Sequence, residues 1–116
     1  MIHDNLLYEL SKKFALRVIK LYEYLKEEKK EHVISNQIYR SGTSIGANIA
    51  ESIHAQSKAD FISKLNISLK EATETKYWLE LLHESDKIND KEFESIVNDL
   101  NIIAGTLVTS IKKMRK

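Results

Sequence analysis

Two Glu-x-x-His units, Glu51–His54 and Glu80–His83, are the residues of this sequence whose types and spacing come nearest to a catalytic constellation. Paired units of this kind, contributed by separate helices, hold di-metal centres in helical bundles. To share a metal, the two must lie at one level of the fold. Two antiparallel helices that turn near Ser57 place residue 54 beside the turn and residue 83 far up the next helix. At ~1.5 Å of rise per residue, the units are then roughly 35 Å apart. The spacing argues against a metal site, and no metal ligand is expected. His32 and His83 fall toward the opposite end, where solvated histidines are the commoner outcome.

Other chemistries lack their parts. The chain has no cysteine, which removes disulfides, thiolate nucleophiles and Cys-based zinc sites. Serines are frequent, but no Ser sits in a strand-turn-helix elbow, and no glycine-rich dinucleotide fingerprint follows a strand. The stretch "RSGTSIGANIAES" at residues 40–52 is rich in Ser, Thr, Gly and Asn and resembles a phosphate-cradling loop. A phosphate loop needs a preceding strand and a lysine, and both are missing. No catalytic residue and no cofactor are expected, and the chain reads as a non-enzyme.

The elements that position these residues are helices. Proline is absent from all 116 residues and glycine occurs three times, so little in the chain opposes helix. Leu7, Leu10, Phe14, Val18, Leu21 and Leu25 form one apolar stripe at helical spacing between about residues 4 and 28. Phe61, Leu65, Leu69, Ala72, Leu79 and Leu82 form another over 58–84, introduced by Ser57 with Asp60 as a near capping box. Asn89 and Glu92 introduce the last stripe, which runs from Phe93 through Ile96, Leu100, Ile103, Leu107 and Ile111 to Met114. In the ambiguous stretch, Ile34, Ile38, Ile45, Ile49 and Ile53 keep one helical phase, with Ser41, Gly42, Asn48 and Ser52 filling the same arc. Residues 33–56 are therefore predicted as a helix whose glycines admit a close neighbour. Asn48 lies at the margin of its core arc, where a buried Asn can fix register or oligomer state, and Gln37, Arg40, Ser44, Ala47 and Glu51 follow a neighbouring stripe. The expectation is a half-buried polar network that locks this helix to its neighbours, the alternative a ligand or nucleic-acid contact through Arg40. "KEEKKEH" must separate the first two helices without any breaker. The expected fold is all-α: a single domain, 1–116, folded as an antiparallel up-down-up-down four-helix bundle.

Two surfaces are left over. Ile67, Trp78 and Leu81 share a side of the third helix outside its core stripe, as a self-association face would. Net charge is only +1, yet the antiparallel order gathers Lys12, Lys13, Arg17, Lys58, Lys64, Lys112, Lys113, Arg115 and Lys116 toward one pole. Asp90, Glu92, Glu94, Glu27, Glu28 and Glu31 gather at the other. The basic pole is the candidate contact for RNA or DNA phosphates, with Tyr8 its one outward aromatic. No signal peptide and no stretch approaching ~20 apolar residues is visible, so a cytoplasmic protein without membrane contact is expected.

The chain also resembles a known family. "QIYRSGTSIGANIAES" at 37–52 is similar to the Gln-x-x-Arg-(small)-x-x-Ser-Ile-x-x-Asn-Ile-Ala-Glu core of the 23S rRNA intervening-sequence proteins, bacterial four-helix bundles. "SKADFISKLNISLKEATETKYWLELL" at 57–82 is similar to that family's second motif. Ser52 replaces a frequent glycine, the first connection lacks a frequent proline, and Lys58 stands where arginine is frequent. The resemblance marks Gln37, Arg40, Ser44, Asn48, Glu51, Glu71 and Glu74 as family-motif polar residues. It implies a homo-oligomer, a ring-like pentamer, without enzymatic activity. Some members are encoded within rRNA intervening sequences, and a related branch comprises diversity-generating retroelement accessory proteins that bind nucleic acid and a reverse transcriptase. A protein-binding scaffold or accessory subunit without nucleic-acid contact is the alternative.

Overall fold

With no proline to stop its helices, the chain ends them with carboxylates, hydroxyls and two residues in left-handed backbone. A computed structural model describes residues 5–115, which form α1 (Asn5–Glu27), α2 (Val33–Ser52), α3 (Lys58–Glu84) and α4 (Asp90–Arg115). The first connection breaks at Lys30, whose φ of 55° reverses the backbone. Glu31 then turns its carboxylate onto the opening turn of α2. Its oxygens accept from the N–H groups of Val33, Ile34 and Ser35 at 3.1, 2.9 and 2.7 Å. A charged acceptor at a helix N-terminus satisfies orphan donors and opposes the helix dipole favourably. Glu31 therefore works as a cap, a role the sequence pattern does not show.

The later boundaries match those expected from the sequence. Ser57 Oγ accepts from Asp60 N–H at 3.0 Å, and Asp60 accepts from Gln56 N–H at 3.1 Å. Asn89 and Glu92 exchange backbone N–H bonds with each other's side chains at 2.8 and 2.9 Å, a complete capping box. Before it, Asp86 at φ 62° ends α3. Lys87 N–H reaches back to Leu82 O and Asp86 N–H to His83 O, the paired bonds of a Schellman motif. One boundary differs. α2 closes at Ser52 and not at residue 56, because the N–H groups of Ile53, His54 and Ala55 bond to carbonyls three residues back and tighten the turn. Ile53 consequently leaves the core arc and is 51% exposed.

Neighbouring helices in chain order pack closely, as α4 does on α1, while the diagonal backbones stay farther apart among the described residues. The result is an antiparallel bundle of 45 × 20 × 19 Å. The predicted stripes supply its core: Phe14, Val18 and Leu25 from α1, Ile38 and Ile45 from α2, Leu65, Leu79 and Leu82 from α3, and Leu100, Ile103 and Leu107 from α4.

The 40–52 stretch is continuous helix. Its small residues face two neighbours at once. On the α1 side, a Cβ at Gly42 would come within 2.8 and 2.9 Å of the two Val18 methyls, and one at Gly46 within 3.2 Å of Ser11 Oγ. On the α3 side, Ser68 Oγ donates to the Ile45 carbonyl at 2.8 Å. Thr75 Oγ1 donates to Glu71 O at 2.7 Å and shares a hydrogen bond with Ser41 Oγ at 2.9 Å. Glycine thus sets the approach of α1, and buried hydroxyls set the register of α3.

Candidate functional site

The starts of α1 and α3 and the ends of α2 and α4 lie at one pole of the bundle. Lys12, Lys13, Lys58, Lys112, Lys113 and Arg115 are all exposed there. None of them enters an ion pair among the described residues. Lys112, Lys113 and Arg115 occupy the last turn of α4, where cations also complement the negative end of the helix dipole. Lys116 falls outside the described residues.

Two of the cations expected in this patch have other partners. Arg17 lies deeper along α1 and is engaged by α4. Its Nη1 sits 2.7 Å from Asp99 Oδ2 and donates to Ser95 O at 3.3 Å, while Nη2 donates to Ser95 Oγ at 3.1 Å. Lys64 Nζ sits 2.9 Å from Glu51 Oε1, and this bond holds its ammonium above the ordinary lysine range. Tyr8 does not stand outward: it is half-buried against the core, with Lys12 Nζ 5.8 Å from its ring centroid. The opposite pole is also less one-sided than its acidic residues imply. Lys29, Lys30 and Lys91 are exposed among its carboxylates, and Glu31 is occupied as a cap. His83 pairs there with Asp90 at 2.6 Å and stacks on Phe93 at 4.2 Å.

Of the family-motif polar residues, Arg40, Glu71 and Glu74 meet across the seam between α2 and α3, Glu51 reaches Lys64 across it, and Ser44 Oγ donates to Arg40 O at 2.6 Å on its own helix. Arg40 donates to Glu71 at 3.3 Å and to Glu74, and Glu74 Oε2 also accepts from Trp78 Nε1 at 2.9 Å. The hydrogen bond from Arg40 is the main cause that lowers the Glu74 carboxyl below the ordinary carboxylate range, and the Trp78 bond adds to it. Glu74 in turn holds the Arg40 guanidinium above its ordinary value. Asn48 is half-buried as expected, but its Nδ2 donates to Ser44 O at 2.9 Å on its own helix, and it makes no side-chain hydrogen bond to another helix among the described residues. The register role passes to Ser41, Ser68 and Thr75, small hydroxyls inside otherwise apolar stripes. Gln37 is exposed. Beside this seam Ile67 is 38% exposed, Trp78 and Leu81 are half-buried, and Tyr77 stands at an edge-on 5.1 Å from Trp78.

The Glu-x-x-His units lie at opposite ends, since His54 follows α2 at the basic pole and His83 closes α3 at the other. Among the described residues no three His, Asp or Glu side chains are grouped so as to hold a metal. Nor is any helix there long and apolar enough to cross a membrane.

Comparison with known proteins agrees with the fold. The 23S rRNA-intervening sequence protein family matches residues 3–109, which include the whole α2–α3 seam. The chain belongs to that family. It is also similar to a Bacteroides thetaiotaomicron protein of unknown function from the S23 ribosomal protein family. The two are 55% identical, and the match covers 93% of this chain and 96% of that one with a TM-score of 0.92. No curated protein matches the chain.

Proposed function

We propose that this family member acts by binding and not by catalysis, as a cytoplasmic, self-associating helical bundle whose basic pole meets the phosphates of RNA or DNA. The observation that carries the reading is the group of exposed cations without carboxylate partners, Lys12, Lys13, Lys58, Lys112, Lys113 and Arg115, at one end of a chain of net charge +1. Assembly of several copies with these poles on one face would sum their fields, and a summed field attracts phosphates without reading sequence. The family's name, which refers to a 23S rRNA intervening sequence, is consistent with a nucleic-acid setting. Exposed Glu9 on α1 and the lack of an outward stacking aromatic among the described residues at this pole make the expected interaction weak and purely electrostatic.

The test is a salt titration of RNA and duplex DNA binding, with light scattering to follow assembly. Changing Lys112, Lys113 and Arg115 to Gln should weaken binding and flatten the dependence of log K on log salt, by about 0.7–0.9 for each phosphate no longer neutralised. No binding at low salt, or a slope unchanged in the variant, would reject the pole as the nucleic-acid surface. The outward side of α3, with Tyr77 53% and Ile67 38% exposed, favours a second reading in that case: a scaffold that binds protein alone.

A further inference from the structure

The seam between α1 and α4 contains an opening that neither the bundle's packing nor the basic pole uses. It lies beyond the Arg17 clip, toward the acidic end of the bundle, and is an open cleft of about 430 Å³. Ligand pockets commonly span roughly 300–1,000 Å³, with an apolar lining and a few charged or polar groups at fixed points. Leu21, Ile88 and Ile96 line this opening, and Ile88 and Ile96 are each only 4% exposed. Tyr24 forms a side wall and remains 36% exposed.

The rim has a definite sign. Arg17, Lys20 and Lys91 stand around it. Lys20 and Lys91 are exposed and enter no ion pair among the described residues. The one carboxylate on the rim, Glu92, is turned back to accept from Asn89 N–H at 2.9 Å. Asp99, just outside, is taken by Arg17 at 2.7 Å. An apolar floor with two unpaired lysines at its rim suits a slim apolar body ending in a single negative charge.

We propose that the α1–α4 opening binds a small amphipathic anion, a free medium-chain carboxylic acid. Its chain lies over Leu21, Ile88 and Ile96, and its carboxylate meets Lys20 and Lys91. The site is separate from the basic pole and does not depend on nucleic-acid binding.

The experiment titrates the full chain with octanoate and, separately, with uncharged octanamide, followed by amide chemical shifts. Octanoate should give saturable shifts concentrated on Leu21, Tyr24, Ile88 and Ser95, with an affinity about tenfold above that of octanamide. Changing Lys20 and Lys91 together to Glu should weaken octanoate about tenfold and leave octanamide unchanged. If that variant melts below the wild type, the Lys20→Gln/Lys91→Gln pair is used, with a smaller loss in the same direction. Shifts that fail to saturate, that centre elsewhere, or that octanamide reproduces at equal affinity would overturn the proposal. So would octanoate binding that survives both charge changes.

Discussion

The two seams that flank α1 are built in opposite ways. Toward α2, the backbones come close because Gly42 faces the Val18 methyls and Gly46 faces Ser11, and Tyr22 and Tyr39 close the far end with ring centroids 4.7 Å apart. Toward α4, one guanidinium clip from Arg17 to Asp99 and Ser95 spans a seam that leaves openings on both sides. The first seam has no room for a side chain at Gly42 and little at Gly46. The second adds to its buried apolar contacts only an ion pair of the partly exposed kind worth about 0–1 kcal/mol, and it leaves room beside that pair.

The tight side is most vulnerable at Gly42. Gly42→Leu would drive a branched side chain into Val18, and overpacking of this order costs about 1–3 kcal/mol, occasionally more. Chemical denaturation should show a loss at the upper end of that range or a chain that no longer folds. An equally stable Gly42→Leu protein would mean that α2 does not approach α1 as described. On the other flank of α2, Thr75→Val removes the hydroxyl shared with Ser41, which is fully buried. An orphaned buried hydroxyl costs about 1–3 kcal/mol, so a midpoint shift of that order is expected, together with loss of the hydrogen bond.

The Arg40–Glu74–Trp78 group should respond more mildly. Glu74→Gln can still accept from Trp78 but loses its charge toward Arg40, and for so exposed a pair the cost at pH 7 should be below about 1 kcal/mol. The folded-state pKa of Glu74 is lowered, so its contribution is present above the ordinary carboxylate value of about 4.3 and is lost as pH falls through the lower folded value. The stability gap between wild type and variant should therefore close on acidification below about pH 4. A gap that persists or widens in acid would assign the effect to something other than this charge.

Much of the fold is legible in the sequence because the relevant signals are periodic. The isoleucine phase of α2 and the stripes of α1, α3 and α4 identify the core, and Ser57/Asp60 and Asn89/Glu92 announce their helix starts. The rest is hidden for identifiable reasons. Glu31 acts through one rotamer onto three N–H groups, and nothing in "EKKEH" separates it from the neighbouring glutamates. Asn48 looks like a register residue by position, but a helix offers every such side chain its own carbonyl four residues back. Arg17 and Lys64 have the right charge and end of the bundle for the basic pole. Their partners, Asp99 and Glu51, come from other helices, and that pairing follows only from the rotation of each helix in place.

Two glycine-to-alanine changes, read by thermal unfolding, probe the close α1–α2 seam at its narrowest point. A Cβ at Gly105 would meet nothing within 4 Å, so alanine there should gain helix propensity alone, about 0.5–1 kcal/mol and a higher Tm. Gly42→Ala gains the same propensity but places its Cβ 2.8 Å from a Val18 methyl, and should lower Tm. In a Val18→Ala background that penalty should disappear and Gly42→Ala should become neutral or stabilising, a coupling expected of residues that touch. If Gly42→Ala raises Tm as Gly105→Ala does, or if its effect is the same in the wild-type and Val18→Ala backgrounds, the close α1–α2 seam is contradicted.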